Sequence, residues 1–110
     1  MVLKQFIYTF LLPFTFISCN SNPIENKDSK NVKSEKGKSL FVLHCESCHG
    51  FDGKKKMANA ADLSISKISS IQIKNTILNG NDKGMMPYKE IITSKSDLDS
   101  LLEYVKTLRK

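Results

Sequence analysis

The stretch Leu40–Lys56, LFVLHCESCHGFDGKKK, decides how the chain is read. Cys45 and Cys48 stand three apart, His49 follows the second directly, and Gly50 comes next. Positions three and four apart share a face of a helical turn, so two thiols and one imidazole project together. Upstream, Leu40, Phe41 and Leu43, with Val42 beside them, predict a helix over 37–48 that ends at the motif. Gly50 and Gly53 then punctuate a loop.

Three chemistries use such a cluster. A dithiol oxidoreductase places this cysteine spacing at a helix start after a strand, in a βαβ setting. No run in this chain alternates strictly enough to predict a sheet. A structural zinc site takes four ligands, and this cluster offers three. The adjacent Cys48 and His49 are badly placed to complete a tetrahedron together, which leaves His44 or a distant group as the fourth. Covalent haem attachment needs what is present: two thiols for the two vinyl groups, and a histidine that reaches the iron from one side.

Upstream sequence bears on the same choice. Residues 1–18, MVLKQFIYTFLLPFTFIS, carry one early positive charge, Lys4, and then an apolar run from Phe6 to Ile17. That run is shorter than the roughly 20 residues a membrane span takes, and it fits a secretory signal. It stops at FISC, where small Ser18 precedes Cys19, in the manner of a bacterial lipobox with Cys19 as the lipidated residue. Export strengthens the haem reading, because this attachment occurs outside the cytoplasm. Residues 19–33 are polar and rich in Asn, Ser and Lys, and predict a disordered tether. About 14 flexible residues would give a reach on the order of 20 Å. The folded domain is expected over residues 34–110.

The remaining elements predict an all-α domain. Ile68, Ile71, Ile77 and Leu78 supply a face for a helix within 68–78. The last segment is the clearest: Leu98, Leu101, Leu102, Val105 and Leu108 recur at helical spacing, and Ser94 with Asp97 forms a candidate capping box. Arg109 and Lys110 complement its C-terminal dipole. Roughly 75 residues with so few large apolar side chains make a marginal core, so a bound group is expected to fill the interior.

The formal charge of +6 suits acidic proteins, phosphate backbones and anionic lipid alike. Nucleic-acid binding would need basic residues on one face with stacking groups among them, and the lysines are instead scattered. Nucleic acid is therefore not an expected partner.

With His49 as one axial ligand, the sixth position decides the chemistry. The candidates lie in GMMPYKE, residues 84–90. Pro87 biases its predecessor toward an extended backbone, which would hold Met86 in a fixed presentation, with Met85 the fallback. A thioether ligand raises the reduction potential and leaves little rearrangement on electron transfer.

On these residues the chain resembles a class I cytochrome c of the small single-haem bacterial kind, from Gly37 to Leu108. Gly37, Phe41 and Cys45 reproduce the spacing of the family's first helix. Leu101 and Tyr104 match the aliphatic and aromatic of its last helix, which crosses the first at the glycine. The family places its ligand methionine directly before a proline, which corresponds to Met86. It also commonly carries a proline whose carbonyl accepts the ligand histidine's Nδ1–H. Here Leu63 fits the leucine two further on, but Ala61 stands where that proline would be.

The resemblance implies the cytochrome c fold, three to four helices around one covalent haem c. It also implies an electron carrier rather than an enzyme. Cys45 and Cys48 would hold the haem; His49 and Met86 would ligate its iron. A haem-based sensor or small peroxidase-like protein with a labile sixth ligand is the alternative. Expected partners are redox proteins (an oxidase, a reductase or another cytochrome) and a membrane reached through the lipid at Cys19. The chain is expected as a monomer in the bacterial cell envelope, facing the periplasm. Lys54, Lys55, Lys56, Lys83 and Lys89 are candidates to ring the haem edge and steer acidic partners. His44 is expected to be solvent-exposed.

Overall fold

The computed structural model describes residues 27–110; the expected signal segment, the lipidation at Cys19 and the first part of the linker lie outside them. Among the described residues there are four α-helices and no strand: α1 (Lys27–His44), α2 (Glu46–His49), α3 (Ser70–Asn79) and α4 (Lys95–Thr107). Two 3₁₀ turns, Met57–Asn59 and Leu63–Ile65, punctuate the long connection between α2 and α3. No described helix is long and apolar enough to cross a membrane.

α1 begins earlier than the boundary at residue 34, so residues 27–33 are helix rather than tether. Every side chain from Asp28 to Lys36 is exposed. Its exposed, polar side chains form no core, which is why its composition reads as linker. Once the packed turns around Gly37 and Phe41 form a nucleus, however, each further residue adds a hydrogen bond at little cost. Asp28 in the first turn suits the helix dipole, and Lys36 pairs with Asp97 of α4 at 2.5 Å.

α1 and α4 form the main packing unit, and a glycine sets how close they come. A Cβ at Gly37 would lie only 2.7 Å from the carbonyl carbon of Ser100 and 3.0 Å from Cβ of Tyr104. Without that carbon the two backbones touch. Phe41, one turn on, is fully buried and meets Tyr104 with ring centroids 5.2 Å apart. Leu98, Leu101, Leu102 and Val105 are buried as the helical spacing predicts, and Leu108 is packed at the edge. The Gly37–Tyr104 crossing expected from the resemblance is thus present. Val42 and Leu43, in contrast, face outward.

α3 buries only part of the face expected of it: Ile77 is buried and Leu78 packs against the core, as expected. Ile73 also enters the core, whereas Ile71 is 80% exposed and Ile68 precedes the helix. The start is fixed by a capping box at Ser69 and Gln72: Ser69 Oγ accepts from Gln72 N at 3.2 Å, and Gln72 Oε1 accepts from Ser69 N at 2.8 Å. Ser94 occupies the N-cap of α4 but makes no side-chain cap bond, and the Asp97 carboxylate, the box's other half, pairs with Lys36 instead. Lys74 of α3 bonds Asp99 of α4, and Lys95 joins from the other side at 3.2 Å. These two partners hold the Asp99 carboxyl down to about 2, the Lys74 bond contributing most. Ile92, in the loop before α4, completes the core.

Candidate functional site

α1 breaks at Cys45, and the short α2 turn carries the rest of the motif on its own axis. Cys45 N still donates to Phe41 O (2.8 Å), and both Cys48 N (3.2 Å) and His49 N (3.0 Å) donate to Cys45 O. The break keeps the three side chains on one side. Cys45 is half-buried, Cys48 exposed and His49 buried, and all three line a single cleft of about 1000 Å³. That volume is at the upper end of ordinary ligand sites. Ile73, Ile77 and Val105 give it an apolar floor shared with the core.

The histidine is held by the loop that follows it. Lys55 N donates to His49 O at 2.9 Å, and Leu63 N donates to Gly53 O at 2.8 Å, folding residues 50–63 back over α2. This brings the Ala61 carbonyl within 3.0 Å of His49 Nδ1. A carbonyl oxygen can only accept, so Nδ1 carries the proton and Nε2 keeps its lone pair for a metal. The bond expected at the family's proline position is therefore made without the proline. The same loop carries backbone strain: Lys56 (φ 55°), Ala58 (φ 51°) and Asn59 (φ 65°) are all left-handed. Lys56 also pairs with Asp62 at 3.4 Å, and Ser64 holds the Asp62 carboxyl below the usual carboxylate range through hydrogen bonds.

The loop between α3 and α4 brings both methionines to the same cleft. Met85 packs against the core, whereas Met86 is 67% exposed. The loop is closed by Asn81, whose N donates to Met85 O (3.1 Å) and whose Oδ1 accepts from Lys83 N (3.0 Å) and Met85 N (3.1 Å). Gly80, at φ 71°, has no room for a side chain beside the Met85 carbonyl. Tyr88 then ties the loop back. Its N donates to Ile77 O (2.9 Å), and its hydroxyl donates to the His44 carbonyl (3.0 Å) beside the first cysteine. The sequence reading missed Asn81 and Tyr88, although an Asn that captures the amide two residues on is a familiar turn signal.

His44 is not free in solvent as expected. It is half-buried on the cleft wall, edge-on to Tyr88 with ring centroids 6.1 Å apart. All five candidate steering lysines are exposed, and Lys83 stands on the cleft itself. Arg109 stands just past the end of α4, with its N donating to Lys106 O at 3.3 Å. It lines the cleft and donates from Nη2 to Ile68 O at 2.8 Å.

Chemistry separates the three readings of the motif. Burial, with the neighbouring Cys48, pushes the Cys45 thiol up to about 11, the opposite of the depressed thiol a redox dithiol uses. No three His, Cys, Asp or Glu side chains converge to hold an ion among the described residues. An apolar cleft with two thiols and an oriented imidazole at its wall fits a porphyrin: the walls supply burial, the thiols covalent anchors, and Nε2 an iron ligand.

This helical fold and site define a c-type cytochrome. The profile of the family described as cytochrome C oxidase, cbb3-type, subunit III, matches residues 33–105, and the chain belongs to that family. A solved structure described as KustC0563 c-type cytochrome is similar to it, with a TM-score of 0.58 and 28% identity over 67% of this chain and 98% of the other. No curated protein sequence matches the chain. Its cofactor is covalently bound haem c, and its family chemistry is haem-based electron transfer.

Proposed function

We propose that the protein is a lipid-anchored, single-haem electron carrier of the bacterial cell envelope. In this reading Cys45 and Cys48 hold the haem by thioether bonds, and His49 and Met86 are the axial ligands. The protein faces the periplasm as a monomer, tethered through Cys19. It exchanges electrons with redox proteins (an oxidase, a reductase or another cytochrome) and transforms no substrate.

The observation that carries this reading is the His49 Nδ1–H bond to the Ala61 carbonyl, in a cleft that also receives Met85 and Met86. That bond fixes the imidazole ring and makes Nε2 a better donor. Met86 is favoured over Met85 because Met85 is already packed against the core. Two protein ligands would leave little to rearrange when the iron changes charge, which suits transfer over bond chemistry.

Optical spectra of the exported ferric protein test the ligation. The expected spectrum is low-spin with a sulfur-to-iron charge-transfer band, lost in Met86→Ala and kept in Met85→Ala. A high-spin resting protein that takes up exogenous ligand at once would instead favour a sensor or peroxidase-like role. Mass spectrometry of the mature protein tests the anchor, with Cys19 expected as an acylated N-terminus.

A further inference from the structure

Arg109 is the chain's one arginine, and it stands on the wall of the haem cleft. Its guanidinium offers five N–H donors and carries a permanent charge. Among the described residues the structure gives it one acceptor, the Ile68 carbonyl oxygen at 2.8 Å, and that acceptor is neutral. Its Nε is enclosed without any hydrogen-bond partner. Among the described residues, lysines 36, 56, 74, 95 and 106 each have a carboxylate, and Arg109 has none. An enclosed, unmatched donor on a charged group is costly and calls for a counter-charge.

Haem brings two carboxylates of its own, the propionates, as the only anionic groups on its rim. A planar guanidinium is the side chain best matched to a carboxylate. We propose that Arg109 is the binding group for a haem propionate, so that the end of α4 secures the cofactor at a point remote from its thioether anchors. This rests on the haem reading above. Ile68, which holds Nη2 in place, also lines the cleft, and the backbone bond from Lys110 N to Ser64 O (3.1 Å) pins the same corner.

Other charges around this corner are Lys110, Lys54 and Asp52, Lys67 beside Ile68, and the Lys56–Asp62 pair next to Ser64. All are left in place by a change at Arg109. The test is a titration of the ferrous holoprotein, with haem labelled with ¹³C at the propionate carboxyls, in wild type, Arg109→Met and Arg109→Lys. An opposite charge alongside lowers a carboxylate by about 1–3 pH units. In the methionine variant one propionate is therefore expected to titrate about 1–3 units higher than in wild type, with the lysine variant between. A role confined to bracing the 63–68 segment would leave that titration where it was. Red, folded Arg109→Met protein with an unmoved propionate would overturn the contact and leave the haem reading standing. Wild-type protein without thioether-bound haem, read from its alkaline pyridine spectrum, would overturn both.

Discussion

At Gly37 a single missing carbon decides whether the two principal helices can meet. Alanine would be the better helix former by about 1 kcal/mol. Its Cβ, however, would be driven into the Ser100 carbonyl, which is backbone and cannot rotate away. Overpacking typically costs about 1–3 kcal/mol, and a rigid obstacle puts this case at the upper end. Gly37→Ala is expected to lose about 2 kcal/mol net, read as a lower denaturant midpoint at the haem absorbance. This residue was legible from sequence because its spacing to Phe41 and Cys45, and the match at Leu101 and Tyr104, has a steric meaning. The Nδ1 bond of His49 to the residue-61 carbonyl was expected from the family pattern, and the fold makes it. Arg109 was not legible, since nothing in its local sequence says that it turns away from α4 toward Ile68.

Among the elements, α4 was read from its periodicity, whereas α3 was read only in part: Ile77 and Leu78 pack as expected, and Ile73 was missed. Ile68 and Ile71 recur at helical spacing as plausibly as Ile73 and Ile77, and only the packing partners decide between them. The capping box that sets the helix start, Ser69 with Gln72, was overlooked in favour of Ser94 with Asp97, whose carboxylate a lysine on another helix captures. Both motifs have the capping-box pattern, and only the fold shows which one closes. The methionine loop shows the same limit. Its composition marked it as a loop, but the grip of Asn81 on both backbone groups of Met85 depends on how the loop closes. Asn81→Ala removes the acceptor for two amides. Under the proposed ligation, the charge-transfer band is expected to weaken and to vanish at lower temperature or lower pH than in wild type. The rest of the visible spectrum should change little. An unchanged band would mean that Pro87 and Gly80 suffice to hold the loop.

For the whole molecule, the main fact is the small amount of apolar filling. Eight buried apolar residues serve the 84 described ones (27 to 110), and Ile73, Ile77 and Val105 among them also face the cleft. A large planar apolar group seated there would complete the interior, and whatever binds only the folded state stabilises it. Exported Cys45→Ser/Cys48→Ser protein, unable to form thioethers, is expected to retain some helix by far-ultraviolet circular dichroism. It should lack a cooperative thermal transition. A sharp transition in the haem-free variant would show that the helices need no cofactor. The shortage of core was visible in the composition; the shape of the space was not, because it arises where all four helices and the two long loops converge.

The Tyr88 hydroxyl bond to the His44 carbonyl makes the methionine loop and the cysteine turn one mechanical piece. Under the proposed ligation, that bond would act as a latch against small molecules such as carbon monoxide or imidazole. Tyr88→Phe keeps the ring against His44 and deletes only the latch. Its expected result is a faster uptake of carbon monoxide by ferrous protein, measured by stopped flow, with the attached haem intact. One phenolic oxygen would then separate a protein that passes electrons from one that captures gases.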